Sequence, residues 1–320
     1  MRIAAIVNPV AGRRKAGRKW PLLLQSVGSL AGEVDTFWSR YPGHCVSLAA
    51  SARRAGYDRV IAVGGDGTLN EVLNGLWWEE KGRMPSLGMV PFGTACEYVR
   101  NFEIGRGMSG RFQTAVGESA ARVSLGLCRY RVGDRLEQRV FAMVLGLGFD
   151  AEVVHNFNRL GFTRSCWLSY AIGALVAMRN MRPFSLEGAV DGFRFQVDTL
   201  FFGALLGQSI AEGMKIAPRA SPSSDRLEFV RVSPVSPAGL LLEILRAYLV
   251  GINNNTRTTT RLPGRRAEIG SRRPVRFEAD GELLGMTSAV AIELIPEAFS
   301  FAARKVKSRS PNSNEKVMVL

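Results

Sequence analysis

The residues best suited to chemistry lie in one short run, Val60-Ile61-Ala62-Val63-Gly64-Gly65-Asp66-Gly67-Thr68-Leu69-Asn70-Glu71. Its apolar, β-branched start reads as a buried strand, stopped by two glycines and followed by a helix. Glycines let a backbone come close to a ligand. A helix N-terminus adds unpaired N–H groups and a positive dipole end, which together suit phosphate. The carboxylate of Asp66 does not belong in a bare anion cradle. It fits a phosphate that arrives with Mg²⁺, or a proton that must be moved. The run therefore reads as a nucleotide-phosphate loop with metal chemistry attached, and no capping or turn role in the sequence asks for Asp66. Thr68 and Glu71 have the spacing of a capping box, so Glu71 is open to both a capping and a site role.

Two more loops, Asn8-Pro9-Val10-Ala11-Gly12 and Pro91-Phe92-Gly93-Thr94, follow strand-like runs. Open α/β sheets bind ligands at the carboxyl ends of their strands, so the three loops are expected to converge on one site. Neither a Walker A pattern nor Gly-x-Gly-x-x-Gly is present, which argues against an ordinary NTPase or dinucleotide fold. Arg13, Arg14, Lys15, Arg18 and Lys19 follow the first loop; a solvated helix face and phosphate contacts both fit them. Asp280-Gly281-Glu282 reads, on spacing alone, as a hairpin turn. Cys96 has no histidine near it in sequence and reads as a small packing residue.

The elements that must hold these loops alternate over the first third. Strands are expected at 2–7, 33–38, 60–63 and 87–90, with helices at 45–55 and 69–76, the pattern of a parallel, doubly wound sheet. After about residue 120 the texture becomes one of strands and hairpin turns, at 123–132, 138–144, 186–191, 193–200, 227–233 and 275–279, with helices at 167–178 and 237–250. This half reads as an antiparallel sheet domain. The expected organisation is an α/β domain over 1–122, a sheet domain over 123–304 and a mobile basic tail over 305–320.

At 320 residues the chain is long enough for two domains, and its net charge of +14 points to anionic partners. No RNA-binding aromatic motif, zinc-finger spacing or homeodomain pattern is present, so nucleic acid is not the expected partner. Four scattered cysteines and two histidines exclude a disulfide framework, a histidine metal cluster and a Ser-His-Asp triad, and fit a reducing cytoplasm. The N-terminus lacks a signal-peptide core and the most apolar segment, 166–178, is too short to span a bilayer. Membrane contact, if any, is expected to be peripheral.

Val63 to Leu76, in the order V-GGDGTLNEVLNGL, resembles the signature of the diacylglycerol kinase catalytic domain, whose superfamily takes in bacterial soluble lipid kinases and, more distantly, NAD kinases. Asn8–Gly12, Leu87–Ala95, Gly146–Asp150, Gly213–Pro218 and Asp280-Gly281-Glu282 extend the likeness over about residues 1 to 305. The resemblance implies an N-terminal nucleotide-binding α/β domain, a C-terminal β-sandwich-like domain and an active site in the cleft between them. It implies transfer of the ATP γ-phosphate, with Mg²⁺, to a lipid hydroxyl at an anionic membrane surface.

By position the resemblance assigns nucleotide contacts to Asn8, Ser39, Gly64, Gly65, Asp66, Gly67, Thr68, Asn70, Glu71, Gly93 and Thr94. It makes Glu282 the general base, against the spacing-only reading, and Asp66 the residue that engages metal or phosphate. Cys96 and Glu97 stand where the family has Asn-Asp, and Ser224 stands where it has a magnesium ligand; Asp225, one residue on, is the substitute ligand. These departures leave room for a weakened homologue that binds nucleotide or lipid without efficient turnover.

Overall fold

Runs such as Ile3–Val7 and Arg59–Gly64, apolar without polar alternation, have to be covered on both faces. In the computed structural model, which describes residues 1–27, 33–93, 95–159, 176–179, 182–211, 213–252 and 256–307, every residue of both runs is buried. The chain forms two compact units, Met1–Ser124 with Glu297–Lys307, and Leu125–Pro296. The first boundary falls at 124 rather than the expected 122. The second expectation is corrected: Glu297–Lys307 belongs to the first unit, and Lys305–Val306 is a short strand rather than the start of a mobile tail.

In the first unit, β1 (Ile3–Val7), β2 (Val34–Trp38), β3 (Arg59–Gly64) and β4 (Ser86–Pro91) form a parallel sheet in the order β2-β1-β3-β4. The helices between and after them are α1 (Ala11–Val27), α2 (His44–Arg54), α3 (Asp66–Trp77), α4 (Glu97–Arg100) and α5 (Gly107–Val116). Ile3, Ala5, Val7, Ile61 and Val63 pack with Trp20 of α1 and Phe112 of α5, and the alternate residues Ala4, Ile6, Val60 and Ala62 are equally buried. Gly75 of α3 lets that helix close on α2; a Cβ there would sit 2.1 Å from the Val46 carbonyl oxygen. This is the doubly wound arrangement expected.

A two-residue strand β5 (Phe102–Glu103) follows α4 and pairs with Lys305–Val306. The rings of Tyr98, Phe102 and Phe301 pack with centroids 4.7 to 5.1 Å apart, which anchors the short α4.

The second unit is mainly antiparallel. Its strands are β6 (Ala120–Val132), which begins in the first unit, β7 (Arg135–Phe141), β8 (Val144–Gly148), β9 (Phe184–Val190), β10 (Phe193–Thr199), β11 (Phe201–Leu205), β12 (Leu227–Val232), β13 (Thr259–Gly264), β14 (Arg266–Ala279) and β15 (Glu282–Ala302). Lys305–Val306 is β16. Two helices, α6 (Phe149–Arg159) and α7 (Pro237–Leu249), accompany them. β14 serves two neighbours in turn: Ala267–Ser271 pairs with β9, and Phe277–Ala279 pairs with β8, with an irregularity between Gly270 and Val275. That break lets the strand bend between its two partners within one continuous sheet, as at the corner of a β-sandwich.

Several strands differ from expectation for local reasons. The run 138–144 is two strands, because the amides of Ala142 and Met143 bond the Asp280 carboxylate instead of a ladder. β11 is buried throughout and shows no alternation, and Pro296 within β15 reads as a strand breaker. Of the expected helix 167–178, only 176–178 lie within the described residues, as do only 305–307 of the tail. Among the described residues no helix is long and apolar enough to cross a membrane.

Candidate functional site

The three loops do converge. The backbone N–H of Asn8 donates to Val63 O at 3.0 Å, and the Asn8 side-chain amide donates to Thr68 Oγ1 at 3.1 Å. Gly64 O accepts from the amides of Phe92 at 2.7 Å and Gly93 at 3.1 Å. Three glycines are demanded by this packing. A Cβ on Gly64 would lie 2.3 Å from Thr68 Oγ1, one on Gly93 2.6 Å from Gly65 Cα, and one on Gly12 1.9 Å from Phe92 O. Gly67 is different. It is exposed, its φ is not left-handed, and a Cβ there would meet nothing within 4 Å. Neither packing nor backbone geometry asks for glycine, so the open space over the first turn of α3 is what Gly67 preserves. The N-terminal end of α3, the positive end of its dipole, borders that space, as suits an anion.

The acids of the loop have structural work that the sequence did not reveal. Asp66 accepts from the backbone amides of Glu97 (3.0 Å) and Tyr98 (3.1 Å), capping α4 from another part of the chain. The reading that no cap needs Asp66 is therefore corrected. Glu71 accepts from the amides of Gly43 (3.0 Å) and Cys45 (3.1 Å) and so caps α2. The expected Thr68–Glu71 capping box does not form, because α3 begins at Asp66 and Glu71 lies too far along it to reach back. Thr68, Asn70 and Ser39 are buried. Asn70 accepts from the Asn74 side chain at 3.2 Å, inside the helix pair rather than at the open side. Ser39 hydrogen-bonds the Cys45 thiol, which burial and Glu71 push up to about 12. Thr94 lies outside the described residues.

Around the first loop, Gly12, Arg13 and Arg14 are left-handed, with φ of 59°, 60° and 65°. Such a conformation costs a non-glycine residue about 1–2 kcal/mol, so this turn is held by its surroundings. The Arg18 guanidinium donates to the carbonyls of Arg13 (3.4 Å) and Arg14 (3.5 Å), while the Arg13, Arg14 and Lys15 side chains are exposed. Cys96 takes the N-cap position of α4 with φ 46° and makes no side-chain capping bond there. Burial, with the Asp66 charge second, pushes its thiol up to about 12, in keeping with packing rather than nucleophilic chemistry.

In the second unit, Ala279 pairs with Glu282 across Asp280-Gly281, whose φ values of 50° and 83° make the tight hairpin that the spacing indicated. Asp280 accepts from three successive amides, Ala142 (2.8 Å), Met143 (2.8 Å) and Val144 (2.9 Å). Glu282 is half exposed and ion-paired with Arg139, a partner 143 residues away that no local signal announced. Glu278, 1 % exposed, accepts from Gly281 N–H at 2.5 Å and faces the Asp150 carboxyl with its other oxygen. Gly146 is opposite Glu278 in the ladder, and a Cβ there would collide with both carboxyls. Desolvation raises both groups, and the Asp150 charge raises Glu278 further.

An apolar cavity of about 100 Å³ also lies in this unit, walled by Phe201, Ile210, Met214, Val230, Leu240 and Ile244. Asp225 is not placed as a metal ligand: it pairs with Arg265 at 2.8 Å, which holds its carboxyl below the usual range. Among the described residues no group of three or more His, Cys, Asp or Glu is arranged to hold a metal.

The family description "diacylglycerol kinase catalytic domain" matches residues 2–128, and "YegS C-terminal NAD kinase beta sandwich-like domain" matches residues 143–303. The chain is 25% identical over 293 residues to a diacylglycerol kinase of Bacillus subtilis, covering 92% of this chain and 93% of that protein. Its fold is similar to the crystal structure of a diacylglycerol kinase from Bacillus anthracis, with a TM-score of 0.70 and 15% identity over 94% of this chain and 96% of that one. It is similar, at a TM-score of 0.56 and 10% identity, to a yeast NADH kinase complexed with NADH, over 94% and 82% of the two chains.

Proposed function

Since the chain belongs to the diacylglycerol kinase catalytic-domain family, we propose that it transfers the γ-phosphate of ATP to the hydroxyl of a membrane lipid at the cytoplasmic face. The observation that carries this reading is Gly67, a glycine that only an incoming ligand needs. The amides of the Gly64–Thr68 turn hold the nucleotide phosphates, and the exposed Arg13, Arg14 and Lys15 lend positive charge. Mg²⁺ suits the site, because an ion held mainly by phosphates and water needs one or two carboxylates, and Asp66 supplies one at the loop. When bound it neutralises charge on the transferring group. Glu282 takes the proton as the lipid oxygen bonds to the γ-phosphorus and the bond to the β,γ-bridging oxygen breaks, releasing ADP. The apolar cavity takes part of the acyl chain.

A second reading, binding without efficient turnover, draws on Ser224, which stands where the resemblance has a magnesium ligand, and on Asp225, whose carboxylate is taken up by an ion pair with Arg265. Incubation with γ-labelled ATP and a panel of lipid alcohols in mixed micelles separates the two. Labelled phospholipid is expected. ATP binding with no product would favour the second reading, and absence of ATP binding would defeat both.

A further inference from the structure

A helix on a globular surface normally turns one apolar stripe inward and a polar face outward. α7 does not. Its inward stripe, Leu240, Ile244 and Ala247, lines the apolar cavity. Leu241, Leu242, Leu245 and Leu249 form a second stripe, centred about 150° around the helix at 100° per residue. All four are exposed, Leu242 to 67% and Leu249 to 80%. Single exposed leucines are ordinary, but four on one face of a 13-residue helix make a patch that water does not favour. Nothing in folding explains it, since the helix is already anchored from its other side and properly started: Ser236 caps it, accepting from Gly239 N–H at 3.1 Å, and Pro237 takes the first position.

The charges around the helix identify what covers the patch. The one acid of α7, Glu243, lines the cavity and accepts from Thr258 Oγ1 at 2.6 Å, so it is withdrawn from the outward face. Arg246 is exposed beside the leucines and Arg257 is exposed next to Thr258. Lys215 packs against Gly251 at the helix end. An apolar stripe bordered by cations, with no acid on this face among the described residues, matches a bilayer, whose acyl region lies beneath a layer of phosphates. A second copy of the chain would bring Arg246 towards its like. At about 1.5 Å per residue the helix is roughly 20 Å long, too short to cross the ~30 Å hydrocarbon core, so it can only lie in the interface.

We propose that the outward leucine face of α7 inserts into the interfacial layer of a phospholipid bilayer, with the lipid-acceptor cavity directly behind it. The role of the cavity rests on the lipid-kinase reading; the insertion does not. Bilayer entry is thus assigned to α7.

The test is vesicle co-sedimentation of the full chain and of Leu242→Ser/Leu249→Ser, using phosphatidylcholine vesicles with and without phosphatidylglycerol, at low and high salt. Both leucines point to solvent, so the variant should fold; its thermal melting checks that. Charge attraction alone is erased as the Debye length falls to ~3 Å at 1 M salt. The wild type should keep a salt-resistant part of its binding, and the variant should lose that part by about tenfold or more while keeping the salt-sensitive part. Binding abolished by salt in both proteins, or identical in both, would overturn the proposal. So would a wild-type dimer that the variant splits without any change in vesicle binding. Turnover of a short-chain, water-soluble diacylglycerol should be the same in both proteins, while turnover of vesicle-borne lipid should show a raised KM in the variant. If neither protein turns over either substrate, the kinase reading fails and the binding result still decides the insertion.

Discussion

Glu278→Gln should remove a pH dependence of stability without weakening the fold. In the wild type burial, the Asp150 charge and the Asp280 charge all raise Glu278, so the Glu278–Asp150 pair is expected to share a proton that it keeps on folding. A carboxyl with a raised folded pKa contributes stability that is fully present below its unfolded value, about 4.3 for glutamate, and is lost as pH rises towards the folded value. Over that window the folded state holds one proton more than the unfolded state. The free energy of unfolding then falls by about 1.4 kcal/mol for each pH unit. Glutamine fits both of the bonds: its oxygen accepts from Gly281 N–H, and its NH₂ gives Asp150 a permanent donor in place of the proton. Urea unfolding of both proteins, in steps from about pH 5 to about pH 8, should give curves that diverge with rising pH, the variant becoming relatively more stable. Parallel curves would refute the shared proton, and a variant uniformly less stable by several kcal/mol would show that the amide cannot take the pair's place.

Gly67→Ala should raise thermal stability slightly, by about 0.5–1 kcal/mol for alanine over glycine in a helix, yet weaken ATP binding measured by calorimetry, because the only thing its methyl can meet is a ligand. Asp66→Asn should abolish phosphoryl transfer and also cost about 0.5–2 kcal/mol of stability, since the amide cannot cap both Glu97 and Tyr98 as the carboxylate does; near-normal turnover would remove Asp66 from the site. Glu282→Gln should lower kcat by about 10²–10⁴ with ATP affinity unchanged, and an unchanged kcat would leave the Asp-Gly turn as a hairpin and nothing more.

The parts of the molecule legible in the sequence are those governed by local rules. The parallel strands announced themselves as unbroken apolar runs, and the three loops by glycine and proline at their ends. Asp-Gly named the hairpin correctly. What stayed hidden depends on partners far along the chain. Asp66 and Glu71 accept from helix-start amides 31 and 28 residues away from them, so spacing could suggest only a cap on their own helix, and the wrong one. The Glu282–Arg139 pair and the Asp150–Glu278 pair join strands and helices that are neighbours only after the sandwich has closed. Gly146 was visible as part of a glycine-rich strand, but the reason for it, two carboxyls filling the space of a side chain, was not.

The first unit is built from two stretches of chain that are far apart in synthesis. Its strand partner for β4, Phe301 beside Leu87, and the third ring of the Tyr98–Phe102–Phe301 cluster emerge only after some 170 intervening residues of the second unit. A nascent chain that has just released residues 1–124 therefore carries a sheet with one bare edge and an α4 lacking its aromatic support. The cap that Asp66 provides has little to hold until the last strand arrives. The first unit is thus completed by a strand that follows the second unit in the chain. A truncated or stalled product would carry the full signature of the family and still lack the strand beside β4 and the Phe301 ring that packs against Tyr98 and Phe102.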